Sequence, residues 1–209
     1  MARVKLGILG GTFDPVHLGH LILAETAREE LALDQVIFVP AGEPWRKQGR
    51  SITPAEHRLA MVKLAVEDIP EFEVSPLEVE QPGPSYTAET LETIAGENPR
   101  TELFLLLGED TLADIPNWYQ PQRIAELAVF AAARRRDRTA RRGPTDSLAK
   151  TLPGIIERIH WLHMPAIDIS ASAIRERMRT RRSIRFLVPA AVEEYILRHG
   201  LYVEAKVGK

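Results

Sequence analysis

Along the chain, short aliphatic and β-branched runs alternate with longer stretches in which apolar positions recur every three or four residues. The short runs Lys5–Leu9, Gln35–Val39, Phe72–Ser75, Leu103–Leu107, Ala128–Ala132 and His160–His163 predict strands. The longer stretches Leu18–Leu31, Pro54–Val66, Tyr86–Ala95, Arg123–Glu126, Ser170–Met178 and Pro189–His199 predict helices. Strand–helix alternation of this kind implies an α/β class: a Rossmann-like, doubly wound parallel sheet with helices on both faces. A small helical part is expected at the C-terminal end. Gln81-Pro82-Gly83-Pro84-Ser85 reads as a loop and Arg135–Ser147 as a mobile one. Neither separates two apolar cores, and there is no internal repeat, so residues 1–209 are expected to form a single domain.

Composition narrows the class. A chain of 209 residues with 44% hydrophobic and 27% charged residues is ordinary for a globular protein. No apolar stretch approaches the roughly 18–20 residues needed to cross a bilayer. The N-terminus runs straight into a strand pattern without the layout of a signal peptide. With no cysteine, the chain has no disulfide, thiolate metal site or cysteine nucleophile. A cytoplasmic location is the expectation, with no membrane partner. A net charge of −2 gives no overall pull toward nucleic acid. Arginines do cluster locally, at Arg134, Arg135, Arg136, Arg138, Arg141 and Arg142, and again at Arg175, Arg177, Arg179, Arg181, Arg182 and Arg185. Most read as solvated loop and helix faces; a minority facing a polyphosphate is the sharper alternative.

The chemistry concentrates in Gly10-Gly11-Thr12-Phe13-Asp14-Pro15-Val16-His17-Leu18-Gly19-His20, directly after the first apolar run. A strand that ends in glycines and opens into a helix makes a phosphate cradle, because backbone N–H groups and the positive helix end face one anion. His17 and His20, three apart, fall on one helix face and could reach one phosphate chain together. Gly19 between them leaves room for a nucleotide to approach. The plainer reading is that His17 caps the helix and His20 fills space. A zinc site is poorly served by two histidines without a third ligand, so no resident metal is expected. The glycines do not satisfy the dinucleotide fingerprint, and the Walker lysine pattern is missing.

This string resembles the signature of the nucleotidyltransferase superfamily that contains the nicotinate-mononucleotide adenylyltransferases, and the longer reading is similar to its bacterial branch. A second string, Asp168-Ile169-Ser170-Ala171-Ser172-Ala173-Ile174-Arg175, puts an N-cap serine before a helix and an arginine about one turn inside it, a second anion site. It resembles the family's Ile-Ser-Ser-Thr-x-Ile-Arg, which holds the β- and γ-phosphates; Ala171 replaces the middle serine and Ser172 keeps a hydroxyl. The resemblance implies ATP contacts from Gly10, Gly11, Thr12, Phe13, His17, Gly19 and His20. It implies further ones from Gly108, Asp110, Ile169, Ser170, Ser172 and Arg175, with His17, His20 and Arg175 catalytic.

On the acceptor side, Pro84-Ser85-Tyr86-Thr87 resembles the family's Ser-Tyr-Thr element, and Gly108-Glu109-Asp110 with Asn117-Trp118-Tyr119 resembles Gly-x-Asp and the downstream tryptophan. An indole could stack on a pyridine ring while adjacent amides receive a carboxylate. Trp118 as plain core is the competing view. Mononucleotide contacts are thereby implied for Thr12, Lys47, Thr87, Trp118, Tyr119 and Arg134. One loop departs from the pattern: where the family reads Pro-x-x-x-Pro-Pro-His-Lys, this chain has Pro40-Ala41-Gly42-Glu43-Pro44-Trp45-Arg46-Lys47. Lys47 keeps a cation, while Arg46 stands for the histidine and Trp45 precedes it.

The implied reaction is transfer of the adenylyl group of ATP to nicotinate mononucleotide, in NAD biosynthesis, with Mg²⁺ delivered on ATP. Alternatives are the same transfer to nicotinamide mononucleotide or phosphopantetheine, glycerol phosphate with CTP, a non-catalytic nucleotide sensor, or tRNA binding. Phe186-Leu187-Val188-Pro189 through Tyr195-Ile196 could pack or form an interface; oligomeric state is not legible.

Overall fold

The computed structural model describes residues 3–47, 51–97, 99–134, 145–165 and 167–203. Its order is β1 (Val4–Gly11), α1 (Leu18–Leu31), β2 (Gln35–Pro40), α2 (Ala55–Val66), β3 (Phe72–Val74), α3 (Leu77–Glu80) and α4 (Thr87–Glu97). Then follow β4 (Thr101–Gly108), α5 (Glu109–Asp114), α6 (Pro121–Leu127), β5 (Ala128–Ala133), α7 (Thr145–Thr151), β6 (Ile159–Leu162), α8 (Ala171–Arg179) and α9 (Ala190–Arg198).

The six strands form one sheet in the order β3-β2-β1-β4-β5-β6, and every neighbouring pair is parallel. Strand order reverses between β1 and β4, so a crevice opens at their C-terminal ends, where ligands bind in open sheets of this kind. The expected α/β class is the one observed.

Two apolar layers flank the sheet, as they must when both faces are covered. Phe104, Leu106, Val36 and Phe38 point to one side, where Leu23, Ala24 and Ala27 of α1 and Met61 and Val62 of α2 cover them. Ile174 and Met178 of α8 and Val192 and Ile196 of α9 join that same layer. Leu103, Leu105, Leu107, Leu6 and Ile8 point the other way, against Leu91 and Ile94 of α4, Leu112, Ile124 and Leu148. Strand alternation thus sorts neighbouring residues into opposite layers. The C-terminal segment packs: Val188, Val192 and Ile196 are buried, and the Leu18 N–H at the start of α1 donates to the Leu187 carbonyl at 3.0 Å. Phe186 stays 81% exposed and Leu197 60%.

Two expectations shift. Short α3 and α5 fall where no helix is predicted, because four to six residues carry too little periodicity to register. The loop expected over Arg135–Ser147 ends early, since Thr145–Ser147 form the first turn of α7, whose Leu148 anchors it in the second layer. Residues 135–144, with the arginines beyond Arg134, lie outside the described residues.

Candidate active site

A cavity of about 750 Å³ opens at the crevice between β1 and β4. One wall is the end of β1 and the start of α1, through Gly10, Gly11, Thr12 and His20. The opposite wall is Gly108, Asp110, Asp114 and Trp118 beyond β4, and the mouth is bounded by Trp45, Arg46, Ser85 and Thr87. A Cβ on Gly10 or on Gly108 would meet no atom within 4 Å, so both backbones lie bare toward open space.

The loop after β1 is built around Phe13. Its φ of 48° is left-handed, a strained conformation for a residue with a Cβ. The strain turns the ring inward, where it is buried and meets the His20 ring edge-on at 5.0 Å. On its other side His20 stacks on His17, with centroids 3.7 Å apart. The His17 backbone N–H donates to His20 Nδ1 at 3.2 Å. That nitrogen is therefore an acceptor, which places the ring proton on Nε2. His17 is the N-cap of α1, only 7% exposed, and does not line the cavity. Burial pushes its pKa down to about 4, so the ring is neutral near pH 7. Its Nδ1 is buried with no hydrogen-bond partner among the described residues. The room expected at Gly19 is occupied by this same ring: a Cβ there would sit 3.1 Å from His17 Nδ1. The missing side chain at Gly19 thus makes room for the His17 ring.

The second string lies beside the first. Ser170 caps α8, its hydroxyl accepting from the Ala173 N–H at 3.2 Å, and the Ile169 carbonyl faces Gly19. Arg175 Nη1 donates to the Asp14 carbonyl at 2.6 Å and lies 3.8 Å from the Asp14 carboxylate, while Nη2 donates to Ser172 Oγ at 3.3 Å. Ser172 and Arg175 line a separate cavity of about 490 Å³, together with Asp14, Thr53, Arg179 and Tyr202. Two segments 161 residues apart are so joined through Asp14. Other arginines of that cluster are engaged locally, Arg177 with the Ser183 carbonyl and Arg182 with Thr180.

On the acceptor side, Thr87 and Trp118 line the main cavity. Tyr119 does not: it is 41% exposed and packs on Tyr86, with ring centroids 4.4 Å apart. Arg134 is also off the cavity wall, with its guanidinium 4.5 Å over the Trp161 ring. The backbone of Lys47 closes a 3₁₀ turn over Trp45–Lys47, and its side chain lies outside the described residues.

Several residues that hold the site gave no motif. Arg58 of α2 is 1% exposed. Its guanidinium donates to the carbonyls of Thr53 (2.8 Å), Thr12 (2.8 Å), Ala41 (2.6 Å) and Gly42 (2.9 Å), tying the loops after β1 and β2 to the start of α2. Burial lowers its pKa, against the pull of Asp14. Glu78 lies under the mouth and accepts from Thr90 Oγ1 at 2.5 Å. Its carboxyl is raised by burial, opposed by hydrogen bonds from Thr90 and Ser85. The Gly42 N–H donates to Ser85 Oγ at 2.9 Å, and a Cβ on Gly42 would lie 2.0 Å from the Glu78 carbonyl oxygen. Tyr202 donates to the Asp14 carboxylate at 2.8 Å. A charge on the apolar face of α2, three residues before Met61, is the one signal that could have exposed Arg58.

A family model described as cytidylyltransferase-like matches residues 8–177. The chain is 48% identical over 198 residues to a protein of Thermomicrobium roseum named "Probable nicotinate-nucleotide adenylyltransferase", covering 95% of this chain and 91% of that one. A protein of Dehalococcoides mccartyi with the same name is 45% identical over 203 residues, covering 97% and 98%. Among solved structures, the fold matches Plasmodium falciparum nicotinic acid mononucleotide adenylyltransferase complexed with NaAD, with a TM-score of 0.76 at 18% identity over 96% of this chain and 98% of that one. The same enzyme complexed with APC gives a TM-score of 0.75.

Proposed function

The chain belongs to the cytidylyltransferase-like family of nucleotidyltransferases, and we propose that it transfers the adenylyl group of ATP to nicotinate mononucleotide, releasing pyrophosphate and nicotinate adenine dinucleotide in NAD biosynthesis. One observation carries the reading: a single cavity has the glycine-and-histidine end of β1 on one wall and Trp118 with Thr87 on the other. The names of relatives 45–48% identical over nearly the whole chain support the same substrate.

The 5′-phosphate of the mononucleotide is the nucleophile. A phosphate monoester, with a second pKa of about 6, is ionised at neutral pH and needs no general base. Catalysis is then positioning and charge stabilisation in an in-line displacement at the α-phosphorus. The backbone at Gly10, Gly11 and Thr12 receives the α-phosphate, and His20 donates to its oxygens from Nε2. His17 acts through His20: its backbone sets the tautomer and its ring holds the plane. Ser172, Arg175 and the amides at the start of α8 take the leaving pyrophosphate. Thr87 and the Trp118 face receive the pyridine nucleotide, with Asp110 at the ribose of ATP. Contributions from Lys47 and Arg134 to mononucleotide binding stay within this proposal.

Among the described residues, no three histidine, cysteine or acidic side chains converge to hold a metal. Mg²⁺ is proposed to arrive on ATP, held by phosphate oxygens and water, where it would neutralise triphosphate charge. Among the described residues no helix is long and apolar enough to cross a membrane; the cytoplasm is the proposed compartment.

Purified protein, ATP and Mg²⁺ are incubated with nicotinate mononucleotide, nicotinamide mononucleotide or phosphopantetheine, and pyrophosphate is measured. Release with nicotinate mononucleotide well above the others is expected. Release with neither pyridine nucleotide rejects the reading.

A further inference from the structure

Arg46 reaches across the cavity mouth. It sits in the 3₁₀ turn after β2, in the loop that departs from the family pattern, and meets Asp114 at the end of α5, 68 residues away. One guanidinium nitrogen donates to Asp114 Oδ1 at 2.8 Å and a second contacts Oδ2, a two-pronged fit of fork to carboxylate. The same carboxylate accepts from the Asn117 amide at 3.1 Å and from the Trp118 indole N–H at 3.2 Å. Part-burial would raise the Asp114 carboxyl; the hydrogen bonds from Asn117, Arg46 and Trp118 hold it below its usual value. A second contact steadies the loop from the other side, where Trp45 leans on Tyr86 with ring centroids 5.8 Å apart.

The ion pair is too exposed to matter much for stability, at 38% and 32% of the two side chains. What it does is geometric. An indole that lines the cavity has one polar atom, and that atom is held by a carboxylate whose own orientation is fixed from the opposite rim. We infer that the Arg46–Asp114 pair is a positioning device that sets the plane of Trp118 and draws the acceptor end of the cavity together. It therefore governs affinity for the mononucleotide and leaves the ATP end untouched. The inference rests on the proposed function for the identity of the acceptor; the orientation of Trp118 does not depend on it.

The test is a double-mutant cycle of Arg46→Met, Asp114→Asn and both together, with ATP saturating. Each single variant should raise KM for nicotinate mononucleotide roughly tenfold, with kcat and KM for ATP within about twofold. The double variant should be no worse than either single one, because the pair acts as a unit. Added salt at about 0.5 M should raise the wild-type KM by a larger factor than that of Arg46→Met. A second arm needs no substrate. In a Trp45→Phe/Trp161→Phe background Trp118 is the remaining tryptophan, and adding Arg46→Met should red-shift its emission and increase acrylamide quenching. Unchanged mononucleotide KM in both single variants, additive effects in the double, or Trp118 emission indifferent to Arg46 would each overturn the inference. A wild-type protein inactive on nicotinate mononucleotide would defeat the functional reading alone and leave the fluorescence arm to decide this one.

Discussion

Replacing Arg58 with methionine should loosen the whole rim of the site. Methionine fills much of the same volume, so the change isolates four hydrogen bonds of 2.6–2.9 Å to the carbonyls of Thr12, Ala41, Gly42 and Thr53. Hydrogen bonds to a charged group are worth about 1.5–3 kcal/mol each, so a simple sum would exceed 6 kcal/mol. That sum overshoots, because removing the guanidinium also removes the burial penalty that depresses its pKa. Losing one member of a buried charged network typically costs about 3–5 kcal/mol, the figure expected here. In a chain of this length each kcal/mol lowers Tm by about 2–4 °C, so a fall of roughly 6–20 °C should appear in thermal unfolding followed by circular dichroism. Arg58→Lys keeps the charge but not the fork, and should fall between the two. Since Thr12 and Ala41 line the cavity, kcat should drop in parallel with Tm across the series. A methionine variant destabilised by less than about 1 kcal/mol would refute the reasoning, because carbonyls abandoned in a dry site cannot be that cheap.

Three further outcomes follow from the geometry. His20→Ala should lower kcat by about 10²–10³ with a much smaller change in the mononucleotide KM, as loss of a transition-state donor requires; near-normal kcat in both single histidine variants would contradict the assigned roles. His17 is neutral in the fold with a pKa of about 4 against 6.5 when exposed, so the unfolded chain binds the extra proton between those values. Stability from this residue is complete above pH 6.5, declines as pH falls, and about 3 kcal/mol is gone by pH 4, a slope that urea unfolding should register and His17→Gln should remove. Gly42→Ala puts a Cβ 2.0 Å from the Glu78 carbonyl and should cost about 3 kcal/mol or more, whereas Gly10→Ala meets open space, should keep its Tm, and should weaken ATP binding.

Much of the fold was legible because its signals are local. All six strands and the helices of seven or more residues that precede β5 or follow β6 show up as runs or periodic stretches, since each buries a full face in one of the two layers. Helices α3 and α5 did not, for their form comes from what they abut. Glu78 sits in α3 because its carboxylate meets Thr90 of α4, and α5 starts where β4 delivers the chain to the cavity rim. No window of ten residues contains either reason.

The site divides along the same line. In the proposed reading, groups that face a ligand belong to compact strings, because a turn of backbone around an anion needs neighbours in sequence; Gly10 to His20 and Ser170 to Arg175 are the strings concerned. Groups that hold those turns in place act over long separations, Arg58 to Thr12 over 46 residues, Arg46 to Asp114 over 68, Tyr202 to Asp14 over 188. Their side chains carry ordinary identities, and only the tertiary path makes them partners. The structure also adds to the strings themselves. Gly19, read as clearance for a nucleotide, gives clearance to the His17 ring as well, and Phe13, read as a contact, has its ring buried against His20. In a strand-end site, then, part of each motif serves the ligand and part serves the residues that meet it. Burial separates the two: the His20 imidazole lines the cavity wall, and the His17 imidazole is sealed behind it.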